Sequence, residues 1–337
     1  MSKPDQEYVQ PIGLDVGTSR IVAARSAGGA GPRGFSYESQ LNAFLTLPYS
    51  KLTESLLAAE KVFHAVRGNE IVVAGEDAQR FAEVFHVEVR RPMANGLLNP
   101  QEPHSLPVVR SIIARLIGTA NAGGQKVYFS VPAPVDGNDA GIPYHQACIS
   151  RILIELGYDP TPIGEGLAVV FGELADFNYS GIGISCGSGL CNVCLAVLSV
   201  PVLAFSVPKA GDFIDSQSAL VTGDRTIRLR LRKEESFHLN GLGVDRDHDA
   251  LTIHYQEVLV NLAQQLSKQI SSAQRLPRME QAIPLVLSGG TAKPRGFLEH
   301  FNKVLRGHEL PVKLSEVRVS SDPLNSTARG ALMAALC

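Results

Sequence analysis

Two segments of this chain share one design, in which an apolar strand is followed by a tight turn rich in glycine and a second apolar strand. The first segment, from Pro11 to Ala24, contains IGLDV, GTS and RIVAA. The second lies about 170 residues later, near half the chain length, where IGISC, GSG and LCNVCLAVL precede a third strand, VPVLAFSV, within 181–207. A strand–turn–strand unit in each half predicts an internally duplicated fold.

The other segments alternate between strand and helix patterns. Over 249–274, Leu251, Tyr255 and Val258 begin a stripe of apolar residues spaced by three or four positions, which predicts a long helix with one buried face. The length of 337 residues favours two domains, and the alternation predicts the α/β class. Further strands are predicted at 71–74, 126–131 and 283–287, and further helices from Glu76, over 106–117, 144–156 and 165–174, from about Lys293, and after Asp322 as N-cap with Pro323 at the first helical position.

The composition argues against several classes of protein. A formal net charge of -2 gives no broad attraction to nucleic acid or to anionic lipid. The opening residues, MSKPDQEYVQ, lack the apolar core of a signal peptide, and no stretch approaches the ~20 apolar residues of a membrane-spanning helix. The cysteines, five in number, favour reduced thiols in a chain of this length. We therefore expect a cytoplasmic protein with no nucleic-acid partner and no direct membrane insertion.

The first glycine turn has the residue types that phosphate binding requires. Glycine lets the backbone approach a phosphate closely, so that successive N–H groups point at its oxygens. A carboxylate just before the turn can hold the water molecules of a phosphate-bound Mg²⁺. Asp15, Gly17, Thr18 and Ser19 fit this description, although the DxGT pattern is weak when it stands alone.

Taken in order along the chain, the motifs resemble those of the actin and heat-shock-chaperone ATPase superfamily, and most closely those of bacterial actins such as MreB and MamK. IGLDVGTS resembles the first phosphate motif, GIGISCGSGLCNV the second, and VLSGGTAKPRGF the adenosine motif. GEGLAVVFG and SDPLNSTARGALMAAL resemble the two connecting helices. Other segments, among them RRPMANGLL and KAGDFIDSQSA, follow in the same order, so the resemblance covers nearly the whole chain.

The resemblance implies an α/β, actin-type duplicated fold with a nucleotide cleft between two domains. Domain I would comprise residues 1–160 and 318–337, and domain II residues 161–317. The cleft would hold ATP or ADP with Mg²⁺. The phosphates would contact the backbone of Gly17, Thr18 and Ser19 from one domain and of Gly187, Ser188 and Gly189 from the other, and the adenosine would contact Gly289, Gly290 and Thr291, with Lys293 nearby.

Two carboxylates would carry the chemistry. The resemblance implies that Asp15 orders the water shell of the metal and that Glu165 positions or polarises the attacking water. Positioning of this kind supplies much of what phosphoryl transfer needs. The simpler alternative for Glu165 is a solvated carboxylate at a helix start, where the helix dipole favours it.

Two positions depart from the family pattern. The second phosphate turn usually begins with aspartate, whereas this chain has Ser185. A neutral hydroxyl is a weaker Mg²⁺ ligand than a carboxylate, so we expect slower hydrolysis or weaker metal dependence than in relatives. The pair that contacts adenosine is out of register, with Lys233 and Glu234 as its candidates. The run RTIRLRLRK, which ends at Lys233, alternates charged with apolar residues and predicts a strand with a solvated basic face.

Two other motifs compete for the second glycine turn. Residues 183–187 match the GxSxG nucleophile elbow, but that motif needs a helix directly after the turn, and a strand pattern follows here. Cys186, Cys191 and Cys194 have the spacing of plant-type ferredoxins. However, no fourth ligand lies nearby, and on a strand Cys191 and Cys194 point to opposite faces. We therefore expect buried thiols that act as small apolar side chains.

The resemblance implies an actin-like protein of the bacterial cytoplasm that assembles head to tail into cytoskeletal filaments and hydrolyses ATP slowly. Its partner would be further copies of itself, and unidentified protein partners are left open. The alternative is an adaptor of the PilM or FtsA kind, which binds nucleotide and recruits other proteins without polymerising. Because no inserted domain or terminal amphipathic helix of the FtsA kind is evident, the sequence favours the filament former.

Overall fold

The computed structural model describes residues 9–27, 34–273, 276–277 and 281–337, so the predicted helix end at Gln274 lies outside the described residues. The strands in chain order are β1 (Ile12–Val16), β2 (Arg20–Ser26), β3 (Phe35–Leu41), β4 (Phe44–Pro48), β5 (His64–Arg67), β6 (Glu70–Ala74), β7 (Met93–Ala94), β8 (Leu97–Leu98), β9 (Gln125–Val131), β10 (Tyr158–Gly164), β11 (Gly181–Cys186), β12 (Cys191–Val197), β13 (Val200–Val207), β14 (Ile283–Ser288) and β15 (Leu314–Val319). The α-helices are α1 (Lys51–Ala59), α2 (Glu76–Phe85), α3 (Ser105–Ile117), α4 (Ile142–Glu155), α5 (Glu165–Glu173), α6 (Gly211–Thr222), α7 (Thr226–Glu235), α8 (Arg246–Ser272), α9 (Phe297–Leu305) and α10 (Ser326–Leu336).

Two five-stranded sheets have the same topology. Their orders are β10-β9-β1-β2-β3 and β15-β14-β11-β12-β13. In each sheet the hairpin that carries a glycine turn is extended by one antiparallel strand on one side and by two parallel strands on the other. The predicted α/β class and the internal duplication are therefore confirmed.

Each large sheet buries its own apolar core. In the first half, β1 and β9 pack with α3 and α4, around residues such as Ile112, Phe129 and Leu153. In the second half, the stripe on α8 packs with α9 and the second sheet around Tyr255, Leu262 and Phe297. A smaller sheet, β4-β6-β5, forms a separate core with α1 and α2 in the first half. Each half is thus stabilised by apolar burial of its own.

The connecting helices α5 and α10 pack directly against each other between the two sheets. Glycine makes this close contact possible: a Cβ on Gly330 would lie 1.7 Å from the carbonyl oxygen of Ala168, and one on Gly172 would lie 2.8 Å from that of Ser326. Because the helices approach so closely, the ends of the two glycine hairpins come to face each other across one cleft.

The proposed domain bounds fall inside two strands. The boundary after residue 160 divides β10, which pairs with β9 as far as Gly164, and the boundary before residue 318 divides β15, which pairs with β14 as far as Val319. Bounds at 164/165 and 319/320 would leave both strands whole. The division into two domains stays a prediction.

Three local predictions are wrong. The run RTIRLRLRK is helical in α7, because Leu229 and Lys233, four positions apart, both turn inward; part of its basic face is therefore not solvated. The helix predicted from about Lys293 begins at Phe297, after Gly296 in the left-handed region. The last helix begins at Ser326, and residues 322–325 form a turn before it, so Asp322 is not its N-cap.

Among the described residues, no helix combines the length and the apolar character needed to cross a membrane.

Candidate functional site

A cleft of about 570 Å³ lies between the two sheets. Its walls include both glycine turns and the loop after β14. All the residues proposed from the sequence line it: Asp15, Gly17, Thr18, Ser19, Glu165, Ser185, Gly187, Ser188, Gly189, Lys233, Glu234, Gly289, Gly290, Thr291 and Lys293. The structure thus brings these residues together, while their roles stay predictions.

The first glycine turn joins β1 to β2 and holds one carboxylate in a fixed position. The N–H of Gly17 donates to the carbonyl of Arg20 (3.0 Å) and closes the turn. Ser130, on β9, donates its hydroxyl to Asp15 Oδ1 (2.7 Å) and accepts from the N–H of Val16 (2.9 Å). One oxygen of Asp15 is therefore engaged by Ser130, and the other is left for a ligand or for water.

The second glycine turn repeats this geometry with different chemistry. The N–H of Gly187 donates to the carbonyl of Leu190 (2.9 Å), as in the first turn. Ser185 occupies the position that corresponds to Asp15 and donates its hydroxyl to Glu165 Oε2 (3.1 Å). Glu165 is the first residue of α5. Each half thus contributes one carboxylate held by one hydroxyl, but the acid and the hydroxyl exchange places.

The two turns are in contact across the cleft. A Cβ on Gly189 would lie 2.6 Å from Thr18 Oγ1 and 2.8 Å from the nitrogen of Gly96, whose N–H donates to Thr18 Oγ1 (3.0 Å). An ion pair also crosses the cleft, between Arg91 Nη1 and Asp212 Oδ1 (2.6 Å). Contacts of this kind exist only while the two halves are close together.

The electrostatics of the cleft disfavour negative charge. Burial, followed by the charge of Asp15, raises the pKa of Glu165 to about 8, and hydrogen bonds from Ser185 and Asn192 oppose this shift. Burial raises the pKa of Asp15 to about 6, and the hydrogen bond from Ser130 opposes it. Without a cation in the cleft, Glu165 is therefore largely protonated at pH 7. A ligand that brings positive charge would favour the ionised form of both acids.

The loop after β14 is fastened to the second turn. Gly289 has a φ of 90°, and a Cβ at this position would lie 2.2 Å from the carbonyl oxygen of Cys186, so that only glycine fits. Thr291 donates its hydroxyl to the carbonyl of Gly187 (2.7 Å). The backbone of this loop therefore forms a wall without side chains beside the second glycine turn, which suits a flat ligand.

Lys233 is engaged within the wall of the cleft. Its Nζ lies 2.6 Å from Asp215 Oδ1 and donates to the carbonyl of Gly211 (3.1 Å). Arg230 Nε lies 3.6 Å from the other oxygen of Asp215. Because Asp215 lies on α6 and Lys233 on α7, this ion pair fastens the two helices together at the wall of the cleft. The neighbouring Glu234 also lines the cleft, and its carboxylate forms no ion pair among the described residues.

The sequence interpretation missed several residues of the cleft. Arg91 and Asp215, with Asp212 as the ion-pair partner of Arg91, lie in the segments RRPMANGLL and KAGDFIDSQSA, for which the sequence predicts no residue role. Arg230 was assigned to a solvated strand face, and Tyr255 only to the apolar stripe of α8. The only signal for Arg91, Asp212 and Asp215 was a charged residue in a segment without a motif of its own, which is too common to single out a site.

The model of the Volactin family matches residues 11–335. The chain belongs to the Volactin family. No curated protein matches it.

Solved structures show the same fold. A structure titled MamK double helical filament has 18% sequence identity and a TM-score of 0.71, over 97% of this chain and 98% of that chain. MreB 5 of Spiroplasma citri bound to AMPPNP has 14% identity and a TM-score of 0.67, over 96% and 95%. The ethanolamine utilization protein EutJ from Carboxydothermus hydrogenoformans has 16% identity and a TM-score of 0.54, over 96% and 89%. The predicted actin-type fold is therefore confirmed over nearly the whole chain.

The cleft of this Volactin-family chain fits a hydrated Mg²⁺ that is held together with phosphates. Within the described ranges, no group of three or more His, Cys, Asp or Glu side chains could hold a metal by itself. Mg²⁺ usually keeps several waters and binds one or two carboxylates plus phosphate oxygens. Asp15 Oδ1 accepts a hydrogen bond from Ser130, so the second carboxylate oxygen is available to a metal-bound water. The Ser185 hydroxyl instead donates to Glu165. The residues present thus fit an ion held chiefly by Asp15 and the ligand.

The competing motifs do not match the structure. Ser185 is followed by the antiparallel strand β12, which pairs directly with β11, and no helix follows the turn as a nucleophile elbow requires. Cys186 and Cys191 lie in the core of the second sheet, whereas Cys194 lies in a separate cluster against α5. Burial raises the pKa of Cys194 to about 12, so this thiol remains protonated. The described cysteines are free thiols.

Proposed function

We propose that this protein binds a nucleoside triphosphate with Mg²⁺ in the cleft and polymerises head to tail into filaments. The observation that carries the proposal is the direct contact between two glycine turns of one geometry, one from each half, at Gly189 and Thr18. Phosphates held between these turns would bond N–H groups of both halves. A ligand can shift an open–closed equilibrium only through contacts that differ between the two states, and this arrangement provides such contacts.

The nucleotide is proposed to be ATP or its product ADP. MreB 5 of Spiroplasma citri is bound to AMPPNP in one structure and to ADP in another, and the cleft of this chain has room for a molecule of this size. The loop at Gly289–Thr291 would contact the nucleoside, and the glycine turns would contact the phosphates. When bound, Mg²⁺ would neutralise part of the negative charge on the phosphates.

Slow hydrolysis is the proposed chemistry. Glu165 would accept a hydrogen bond from the attacking water once it is ionised, because a water held in line with the scissile bond reacts faster. Asp15 would order water around the metal. Ser185 contributes no charge, and its hydroxyl stabilises the ionised form of Glu165 by donating to it. We therefore propose a hydrolysis rate below that of relatives with aspartate at this position.

Polymerisation is proposed to follow cleft closure. A head-to-tail contact gives an open filament when its rotation does not close into a ring. The Arg91–Asp212 ion pair and the Gly189–Thr18 contact both lie between the halves, so they would set the relative orientation of the two sheets that a neighbouring copy meets. The similarity to the structure of a MamK filament supports this proposal. A cytoplasmic location accords with it and stays a prediction.

Sedimentation and electron microscopy test the proposal. Purified protein would be centrifuged at high speed with ATP, with ADP and without nucleotide, each in Mg²⁺, and nucleotide binding would be measured in parallel. Filaments that pellet only with ATP are the expected result. A protein that binds ATP but stays in the supernatant under all three conditions would contradict polymerisation and favour an adaptor. A protein that binds no nucleotide would contradict the whole proposal.

A further inference from the structure

Tyr255, on α8, carries a buried hydroxyl that has no hydrogen-bond partner in the described part of the chain. Its side chain is 0% exposed and lies in the wall of the cleft, in the region that also includes Glu234 and Phe237. A buried tyrosine hydroxyl usually finds a partner, and leaving one unpaired costs free energy. The hydroxyl therefore requires an explanation other than core packing, for which phenylalanine would suffice.

The aromatic ring is held in place by its neighbours. It stacks on Phe237 (centroids 5.2 Å apart, planes at 15°) and meets the edge of Phe297 (6.3 Å, 84°). With the ring packed on two sides, the hydroxyl cannot swing towards a distant acceptor. Burial, and then the charge of Asp215, raises the pKa of Tyr255 well above its ordinary value, so the hydroxyl stays protonated and is available as a donor.

Asp215 is the charged group that acts most strongly on the Tyr255 hydroxyl. Asp215 forms an ion pair with Lys233 (2.6 Å) and lies near Arg230 (3.6 Å). The Tyr255 hydroxyl makes no hydrogen bond to it among the described contacts. Among the described residues no acceptor lies within hydrogen-bond distance of this hydroxyl, and a ligand in the cleft would supply one.

We propose that the Tyr255 hydroxyl donates a hydrogen bond to an acceptor atom of the nucleoside, on its sugar or on its base. This proposal rests on the proposed nucleotide binding and adds a residue that selects the nucleoside. The nucleoside is favoured over the phosphates because Tyr255 packs between the rings of Phe237 and Phe297 and the nearby Lys233 and Arg230 are paired with Asp215. The backbone N–H groups suited to phosphates belong to the glycine turns.

The test compares two tyrosine-to-phenylalanine substitutions in the full-length protein. Tyr255→Phe removes the unpaired hydroxyl. Tyr158→Phe is the matched control, because its buried hydroxyl donates to the carbonyl of Ile117 (2.8 Å) in the core of the first half, away from the cleft. Binding of ATP, 2′-deoxy-ATP, GTP and inorganic tripolyphosphate would be measured by titration calorimetry in Mg²⁺, together with the thermal unfolding midpoint of each nucleotide-free protein.

We expect Tyr255→Phe to weaken ATP binding about threefold to tenfold, to leave tripolyphosphate binding unchanged, and to leave the unfolding midpoint equal or higher. Tyr158→Phe should lower the midpoint and leave ATP binding unchanged. A reduced preference for ATP over 2′-deoxy-ATP in Tyr255→Phe would place the bond on the sugar, and a reduced preference between ATP and GTP would place it on the base.

Two results would overturn the assignment while the proposed function stands: equal ATP binding by Tyr255→Phe and the unmodified protein, or an equal loss for ATP and tripolyphosphate. If the unmodified protein binds neither nucleotide, the proposed function and this assignment both fail.

Discussion

The two glycine turns have one backbone geometry but opposite chemistry. In the first, the acid lies on the strand as Asp15 and the hydroxyl comes from Ser130 on the neighbouring parallel strand. In the second, the hydroxyl lies on the strand as Ser185 and the acid comes from Glu165 on a helix. A second aspartate at 185 would add a third carboxylate to a buried site that already raises the pKa of two. The comparison shows that the same backbone frame holds its acid on the strand in one half and on a helix in the other.

The largest expected effect is the loss of ATP turnover when Glu165, the acid on α5, is replaced. Glu165→Gln keeps the shape of the side chain but cannot accept a proton from water, so we expect ATP turnover to fall by about 10²- to 10⁴-fold. Phosphate release measured with saturating ATP and Mg²⁺ checks this. Glu299→Gln, on the exposed surface of α9 in the same half, is the control and should not change turnover. Turnover by Glu165→Gln at the unmodified rate would remove Glu165 from the chemistry.

The pH dependence of stability tests whether both acids are buried without a cation. The pKa values of about 8 for Glu165 and about 6 for Asp15 lie above those near 4 of unfolded carboxyls, so the folded state binds more protons between these limits. Stability from this pair is therefore fully present below about pH 4 and is lost as the pH rises to 8, at about 1.4 kcal/mol for each unit by which a pKa is raised.

Denaturant unfolding of the nucleotide-free protein at several pH values measures this loss. Glu165→Gln has no charge to bury, so its free energy of unfolding should change little between pH 6 and 8. A slope in that interval that is the same for Glu165→Gln and the unmodified protein would show that other groups cause it.

Ser185→Asp makes the second turn resemble the first. We expect Mg²⁺ in the presence of ATP to bind about 10- to 100-fold more tightly, since groups around a metal commonly have effects of that size, and hydrolysis to become faster. Without Mg²⁺ the variant should be less stable than the unmodified protein at pH 8, because a third carboxylate is buried. Ser185→Asn, which is similar in size but neutral, is the control. Unchanged Mg²⁺ affinity and turnover in Ser185→Asp would contradict the role given to this position.

A single added methyl group at Gly189 can disturb the contact between the two glycine turns. Gly189→Ala would place a Cβ 2.6 Å from Thr18 Oγ1, and we expect it to destabilise the closed form by about 1–3 kcal/mol and to weaken nucleotide binding accordingly. Gly123→Ala, where a Cβ meets nothing within 4 Å, is the matched control. ATP binding by calorimetry compares the two, and equal affinities would mean that the halves do not need to touch.

The smallest expected effect concerns the ion pair across the cleft. Arg91 and Asp212 are partly exposed, so a double-mutant cycle with Arg91→Ala and Asp212→Ala should give a coupling of only about 0.5–1 kcal/mol in nucleotide binding. The coupling should shrink in 0.5 M salt, since exposed charges are screened. ATP affinity is measured by the same calorimetric titration for all four proteins of the cycle. Zero coupling at low salt would show that this ion pair does not stabilise the nucleotide-bound form.

Much of the frame followed from the sequence. The turns at Gly17 and Gly187 could be located because each separates two apolar strand patterns, and the helix predicted over 249–274, observed at Arg246–Ser272, could be located from its apolar period. Prediction was wrong for α7, where alternating arginine and leucine have the strand period of two but also tolerate a helix. There the buried position of Leu229 and the Asp215–Lys233 pair, which come from α6 and α8 packing, decided the structure.

The sequence by itself determined the duplicated α/β frame, because local spacing and glycine placement specify turns and buried faces, and the resemblance of its motifs to those of actin-type proteins indicated part of the lining of the cleft. Only the tertiary structure decided which groups meet there. That Ser130 holds Asp15, that Ser185 holds Glu165, that Arg91 pairs with Asp212 and that Tyr255 lacks a partner all depend on contacts between distant segments. Such contacts carry no local signature, since they depend on strand pairing within a sheet, on the packing of helices against it and on how the two halves face each other.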